Sequence, residues 1–282
     1  MKVFVASAFS KNNCGGNKAG VCLTGEQVND ENKKKIAAKL GYAETAFLSV
    51  SAMKEVDFKI EYFTPSEEVP LCGHATIAAF TVMRHYHLLK KAHYKIETKS
   101  GVFAVNMKSN AIFMEQSKPQ FFEYIETNVF DNCYSMKVVS DKLPVQIVST
   151  GLKDIMLPVK NIDSLNAMQP NFEEIKRISK RYDTVGIHAF VVQNDRIICR
   201  NFAPLYGIPE EAATGTSNCA LACYLYQNEI AKQNEYTFEQ GYSMNQPSEI
   251  TVTLALMNNK IEKVFVGGNG YVMEEREVET ER

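Results

Sequence analysis

Glu44 opens the segment Glu44-Thr45-Ala46-Phe47-Leu48-Ser49-Val50, whose β-branched and aromatic content reads as a strand. Side chains alternate along a strand, so Glu44 falls on the side of Ala46, Leu48 and Val50. A carboxylate on an apolar side is rare unless it is paired or functional. Burial penalises its charged form, which is expected to raise its pKa toward the range useful for general acid–base work. The plainer alternative is a strand-end Glu that is exposed or satisfied by backbone amides, and spacing alone does not separate the two.

Two further segments carry candidate chemistry. Leu71-Cys72-Gly73-His74 and Ala213-Thr214-Gly215-Thr216 each lead into an Ala-rich apolar run. Glycine lets a ligand come close to the backbone, and the first amides of a helix favour a carboxylate or phosphate. The candidate ligand-binding positions are therefore Gly73, His74 and Ala75 at one start, and Thr214, Gly215 and Thr216 at the other. The alternative is that both glycines only turn the chain into a helix. His74 could donate a hydrogen bond to a substrate. Thr216 could satisfy backbone amides near the helix start or reach a ligand. Glu210 and Glu211 form an acidic pair of the kind that is usually solvated, although one could orient a substrate amine or hydroxyl.

Cys72 and Thr214 occupy equivalent places, each directly before a helix-opening glycine. A two-base racemase of this symmetry would want a thiol at both. A threonine hydroxyl is too weak an acid or base, so a single carboxylic acid shuttling one proton fits better. Cys72 reads as a packed thiol, with a racemase using it as the alternative. A non-catalytic small-molecule-binding protein is the alternative from another class.

The elements that must position these groups come twice. Residues 61–80 (EYFTPSEEVPLCGHATIAAF) parallel 201–225 (NFAPLYGIPEEAATGTSNCALACYL), with Phe63 and Phe202 lying 139 positions apart and Gly73 and Gly215 lying 142 apart. Asp30–Leu40 pairs with Asn171–Lys180 as short helix candidates. Thr45-Ala46-Phe47-Leu48 pairs with His188-Ala189-Phe190-Val191, and Tyr94-Lys95-Ile96-Glu97 with Tyr236-Thr237-Phe238-Glu239. Such self-similarity decides architecture first. The runs His74–Tyr86 and Thr216–Tyr226 are apolar on nearly every face, so each should be enclosed. The expected fold class is α+β: two pseudo-symmetric lobes, each a bent sheet or barrel around a central hydrophobic helix, with a cleft between them. The expected division is 1–117, 118–262, and a terminal strand with charged tail at 263–282 that could pack back on the first lobe. The tail from Glu274 to Arg282 reads as solvated.

Composition bounds the rest. The chain has 282 residues, 45% hydrophobic and 23% charged, as in soluble globular proteins. A net charge of −2 gives no long-range field toward nucleic acid or an anionic membrane, and no apolar run is long enough for a membrane helix. The partner expected is a small anionic metabolite. Seven cysteines are scattered without a CxxC pair, suiting buried free thiols in a reducing compartment, and the histidines show no zinc-like spacing with them. The opening Met1-Lys2-Val3-Phe4-Val5 lacks the pattern of a secretory signal. A cytoplasmic, metal-free protein is the expectation.

These segments also carry a family resemblance. Gly16-Asn17-Lys18-Ala19-Gly20-Val21 resembles the GNPAAV turn of the phenazine biosynthesis-like (PhzF-like) family, and Glu44-Thr45-Ala46-Phe47 its ETTF or ETAF segment. Phe63-Thr64-Pro65 through Leu71-Cys72-Gly73-His74-Ala75-Thr76 is similar to its FTP…LCGHAT signature. Glu210-Glu211-Ala212-Ala213-Thr214-Gly215-Thr216 resembles its EDPATGS motif. The resemblance implies a diaminopimelate-epimerase-like fold, usually a homodimer, and cofactor-free isomerase chemistry such as an allylic proton shift. It implies Glu44 as the acid–base, with His74, Glu211 and Thr216 at its other polar positions. Three departures stand out: Glu211 replaces the motif's Asp, Thr216 its frequent Ser, and Lys18 its Pro. The added methylene and methyl would narrow the pocket and shift the carboxylate, which counts against the phenazine intermediate itself as substrate.

Overall fold

The computed structural model describes residues 1–23 and 28–279, in two compact units, Met1–Glu115 with Gly267–Arg282, and Gln116–Val266. The first unit contains β1 (Lys2–Ala8), β2 (Asn17–Leu23), α1 (Asp30–Leu40), β3 (Thr45–Val50), β4 (Phe58–Phe63), β5 (Glu68–Val69), α2 (Gly73–His85), β6 (His93–Thr98), β7 (Gly101–Lys108) and β8 (Ala111–Gln116). The ladder runs β1–β2–β3–β4–β6–β7–β8, with β2–β3 and β4–β6 parallel and the other links antiparallel. The C-terminal strand Gly270–Glu277 adds to β1 antiparallel, Val5 facing Glu274 and Lys2 facing Glu277. The tail expected to be solvated is therefore laddered through Glu277. Its charged side chains can face solvent because strand pairing uses only the backbone. Residues 280–282 lie outside the described residues.

The second unit contains β9 (Gln120–Ile125), β10 (Val145–Ser149), β11 (Lys153–Pro158), α3 (Ile162–Ala167), α4 (Phe172–Arg181), β12 (Gly186–Gln193), β13 (Arg196–Ala203), β14 (Ile208–Glu211), α5 (Gly215–Gln227), β15 (Glu235–Gln240), β16 (Ser248–Met257) and β17 (Lys260–Gly268). Its order β10–β11–β12–β13–β15–β16 repeats β1–β2–β3–β4–β6–β7 of the first unit, with β11–β12 and β13–β15 parallel, and β9 adds to β10 as the C-terminal strand adds to β1. The duplication read from sequence is thus a duplication of topology. A parallel link needs a crossover, and helices supply them. In the first unit α1 joins β2 to β3; in the second α3 and α4 join β11 to β12.

Register refines the repeat. Thr45 faces Phe63 across β3–β4, and Ile187 faces Phe202 across β12–β13. With Phe63 and Phe202 as equivalent anchors, Thr45 answers to Ile187, one residue from the expected His188. Position 44 therefore answers to Gly186.

α2 and α5 are the enclosed helices that the sequence predicts. Every residue from His74 to Met83 is buried, as is nearly every residue from Gly215 to Tyr226. Phe80 on α2 meets Tyr94 on β6 at 5.5 Å and Phe58 on β4 at 6.2 Å, both edge to face. Burying each such side chain contributes about 1.5–3 kcal/mol. The two hydroxyls on this apolar helix, Thr76 and Thr81, donate to the carbonyls of Cys72 and Ile77 four residues back, which removes their desolvation cost. The seven cysteines are free thiols; six are buried as expected, but Cys14 is exposed. Among the described residues no helix is long and apolar enough to cross a membrane.

Candidate active site

Glu44 sits immediately before β3, and its side chain is 18% exposed. Ala46 and Leu48 on its side of the strand are buried, but Val50 is 82% exposed, so the apolar side covers only the first half of β3. The first turn of α2 brings His74 to it: Nε2 lies 3.2 Å from Glu44 Oε2. That oxygen is buried without an aligned hydrogen bond. Cys72 Sγ lies 3.4 Å from Nδ1 and 4.0 Å from Nε2 of the same ring. Carboxylate, imidazole and thiol thus form one cluster within the first unit, assembled from a strand end and a helix start.

The electrostatics correct the sequence expectation. Burial pushes the Glu44 carboxyl up, but the imidazole of His74 more than offsets this, and the group is held below the usual carboxylate value. Burial opposes charge on His74, whereas the Cys72 sulfur and the Glu44 carboxylate favour it; the imidazole ends well above its ordinary value. Burial dominates at Cys72 and pushes the thiol up. The directions together favour a charged His74 paired with a charged Glu44, and burial disfavours ionisation of Cys72.

This pairing fixes a pH dependence. A lowered Glu44 contributes stability that is full above its unfolded value near 4.5 and fades as pH falls through the folded value. A raised His74 contributes stability that is full below 6.5 and fades as pH rises through its folded value. The melting-temperature advantage of wild type over His74→Asn is expected to be widest between pH 4.5 and 6.5 and to narrow on both sides. A pH-independent gap in thermal melts would contradict the ion pair.

The helix starts explain why α2 and α5 could serve a ligand. α1, α3 and α4 begin at Asn29, Asn161 and Asn171, whose side chains each accept from a first-turn amide, and all three carry acidic residues in that turn. α2 and α5 begin at Cys72 and Thr214 with no side-chain cap and no acidic residue. The surface helices neutralise their own positive ends; the central ones do not. A Cβ built on Gly73 would meet no atom within 4 Å. Glycine there serves neither packing nor a left-handed backbone, and it leaves open space over the helix start beside His74 and Ala75.

In the second unit Glu211 and Thr214 are brought together. The Thr214 hydroxyl donates to Glu211 Oε2 at 2.7 Å and accepts from Gln240 Nε2 at 3.1 Å. Gln240 also donates to the Glu211 carbonyl at 2.7 Å, and its Oε1 accepts from the Thr214 amide at 3.2 Å. Thr216 is half-buried at the second position of α5, and its carbonyl accepts from Thr150. Glu210, the other half of the acidic pair, is a structural residue. Arg200 grips it through two 2.8 Å bonds while donating to the carbonyls of Leu165 and Met168.

A buried network behind this motif went unseen from sequence. Ser217 donates to Asp154 at 2.6 Å, Asn201 to Ser217 at 3.1 Å, and Asn218 to Gln240 at 2.9 Å. His188 lies between Asn201 and Asn218, at 3.2 and 3.3 Å. Burial pushes Asp154 up to about 7 and His188 down to about 4. The detectable signal was a buried polar residue within each of three largely apolar strands, Asp154 on β11, His188 on β12 and Asn201 on β13, each bonded to Ser217 or Asn218 of α5. Such a network fixes the start of α5 rather than reacting itself.

The phenazine biosynthesis-like (PhzC-PhzF) family matches residues 6–276. An uncharacterized isomerase of Clostridium acetobutylicum is 31% identical over 96% of this chain and 95% of its own. The crystal structure of a PhzF-family phenazine biosynthesis protein from Bacillus anthracis superposes with a TM-score of 0.88 at 28% identity, covering 99% of this chain and 98% of that one. A probable proline racemase from Agrobacterium radiobacter shares the fold alone, with a TM-score of 0.67 at 10% identity over 99% of this chain and 92% of its own. The expected epimerase-like α+β fold is therefore the observed one, and the chain belongs to the phenazine biosynthesis-like family of isomerases.

Proposed function

We propose that this isomerase moves a proton within a small carboxylate-bearing metabolite, with Glu44 as the shuttle and no cofactor. The observation that carries this reading is the Glu44–His74 pair at 3.2 Å beside the open, uncapped start of α2. The substrate carboxylate would accept from the amides of Gly73 and His74, at the positive end of the helix. His74 then donates toward the charge that develops as the proton leaves carbon. An anionic substrate that draws the imidazolium onto itself frees Glu44 from its partner, and a desolvated carboxylate without a counter-charge is a stronger base. The same acid returns the proton to another carbon of the substrate.

The second unit supports one base rather than two. Thr214 stands where a second thiol would be needed, and its hydroxyl is committed to Glu211 and Gln240. The position answering to Glu44 is Gly186. Six buried free thiols fit a reducing compartment such as the cytoplasm.

The test is solvent deuterium exchange. Small carboxylate metabolites that raise the melting temperature are incubated with the protein in deuterium oxide and followed by NMR. Incorporation at carbon is expected for at least one of them. Persistent absence of exchange in ligands that demonstrably bind would favour a binding protein instead. Gly73→Ala separates site from scaffold: its methyl enters open space, so stability should hold within about 1 kcal/mol while KM for the exchanging ligand rises. An unchanged KM would move the carboxylate site away from α2.

A further inference from the structure

We propose that Glu44, Cys72 and His74 also form a capture site for a zinc-like divalent cation, which competes with substrate for the same side chains. A Glu44 oxygen, the Cys72 sulfur and a His74 ring nitrogen all lie within 4.8 Å of one another. Around His74 Nε2, the Glu44 oxygen is at 3.2 Å and the Cys72 sulfur at 4.0 Å. Zinc bonds of about 2.0–2.3 Å at the tetrahedral angle place ligand atoms roughly 3.3–3.7 Å apart. The three groups would have to close in from separations of up to 4.8 Å to reach those values.

Several features favour a cation here. The donor set, one sulfur, one imidazole nitrogen and one carboxylate oxygen, is that of a borderline-soft metal rather than magnesium or calcium. Thiolate and carboxylate together balance a double positive charge in a buried place. Glu44 Oε2 is buried without an aligned hydrogen bond, so an acceptor is already directed at the cluster. The open space over Gly73 provides entry and a fourth position for water or a substrate carboxylate. As the metal binds, the Cys72 thiol and the His74 ring lose protons to solvent while metal–sulfur and metal–nitrogen bonds form, and no electron changes hands. Cys72 and His74 have a single residue between them and Glu44 comes from a distant strand end, so the site has none of the CxxC spacing by which zinc sites are recognised in sequence.

The metal would occupy both the Glu44 oxygen and the imidazole, so it would inhibit turnover. That consequence rests on the proton-shuttle reading; the binding itself does not. The test uses purified, metal-free protein without substrate, titrated with Co2+ as a spectroscopic stand-in for zinc and then with Zn2+. One equivalent of Co2+ should bring up a thiolate-to-cobalt charge-transfer band in the near ultraviolet, and Zn2+ should erase it while raising the melting temperature. The band should vanish in Cys72→Ser and persist in Cys14→Ser, which removes the exposed thiol. Should Cys72→Ser fail to fold, Glu44→Gln provides a second reading, with the band kept but the zinc affinity weakened. Absence of the band at saturating metal, or its loss in Cys14→Ser alone, would overturn the site and leave the isomerase reading standing. Metal binding without deuterium exchange would do the reverse.

Discussion

Glu44→Gln is expected to reduce solvent deuterium exchange by roughly 10²–10⁴-fold, the range ascribed to a positioned acid–base, while ligand binding and folding persist. The substitution keeps the shape of the side chain and an oxygen near His74 Nε2, so the first turn of α2 should stay in place. It removes the negative charge that holds the imidazole high, so His74 should titrate at lower pH in the variant. A structural role for Glu44 predicts a different pattern, with melting temperature and kcat falling together and KM rising. The comparison that decides is the exchange rate at saturating ligand together with the binding constant from thermal shift. Full activity in the variant would remove Glu44 from the mechanism and return attention to the Cys72 thiol, which lies 3.4 Å from the imidazole.

Much of the architecture was legible because it rests on local, repeated signals. Two apolar runs without a polar stripe had to be enclosed helices, and they are. A duplicated Phe-x-Pro to Gly segment had to mean duplicated topology, and the parallel links fall at the same two places in both units. The single-residue slip between Thr45 and His188 arose because the short motif Ala-Phe recurs one place out of step. Only the ladder to Phe63 and Phe202 fixes the register, and a one-residue shift turns a side chain to the other side of a strand.

The site was legible in its members and not in its charge state. Glu44 and His74 stand thirty residues apart in the chain, and nothing in spacing says that they touch. Burial alone predicts a raised carboxyl; contact with an imidazole reverses the sign. The acidic pair shows the same limit. Glu210 and Glu211 look alike in sequence, yet Arg200, ten residues upstream, takes Glu210 into a structural grip and leaves Glu211 to Thr214. The network from Asp154 through Ser217 and Asn201 is non-local for the same reason, since its members come from separate strands and a helix and meet only in the fold.

Gly186→Ala is the substitution expected to damage the fold most. A Cβ at this position would lie 2.0 Å from the Phe202 carbonyl oxygen and 3.0 Å from the Ala203 Cα, both backbone atoms on the paired strand β13. A flexible side chain could move aside; a strand in a ladder cannot without breaking its pairing. The cost should exceed about 3 kcal/mol, above the usual range for overpacking, and should appear as a large fall in melting temperature. Near-wild-type stability would mean that β12 and β13 are not so closely apposed. The same contact decides the chemistry of the second unit. Gly186 answers to Glu44, and where the backbone of β13 excludes even a methyl group no carboxylate can stand. The duplication supplied two helix starts but room for only one acid at this position, which supports the proposal that Glu44 both takes and returns the proton. The stability of Gly186→Ala thus tests the fold and the one-base reading together.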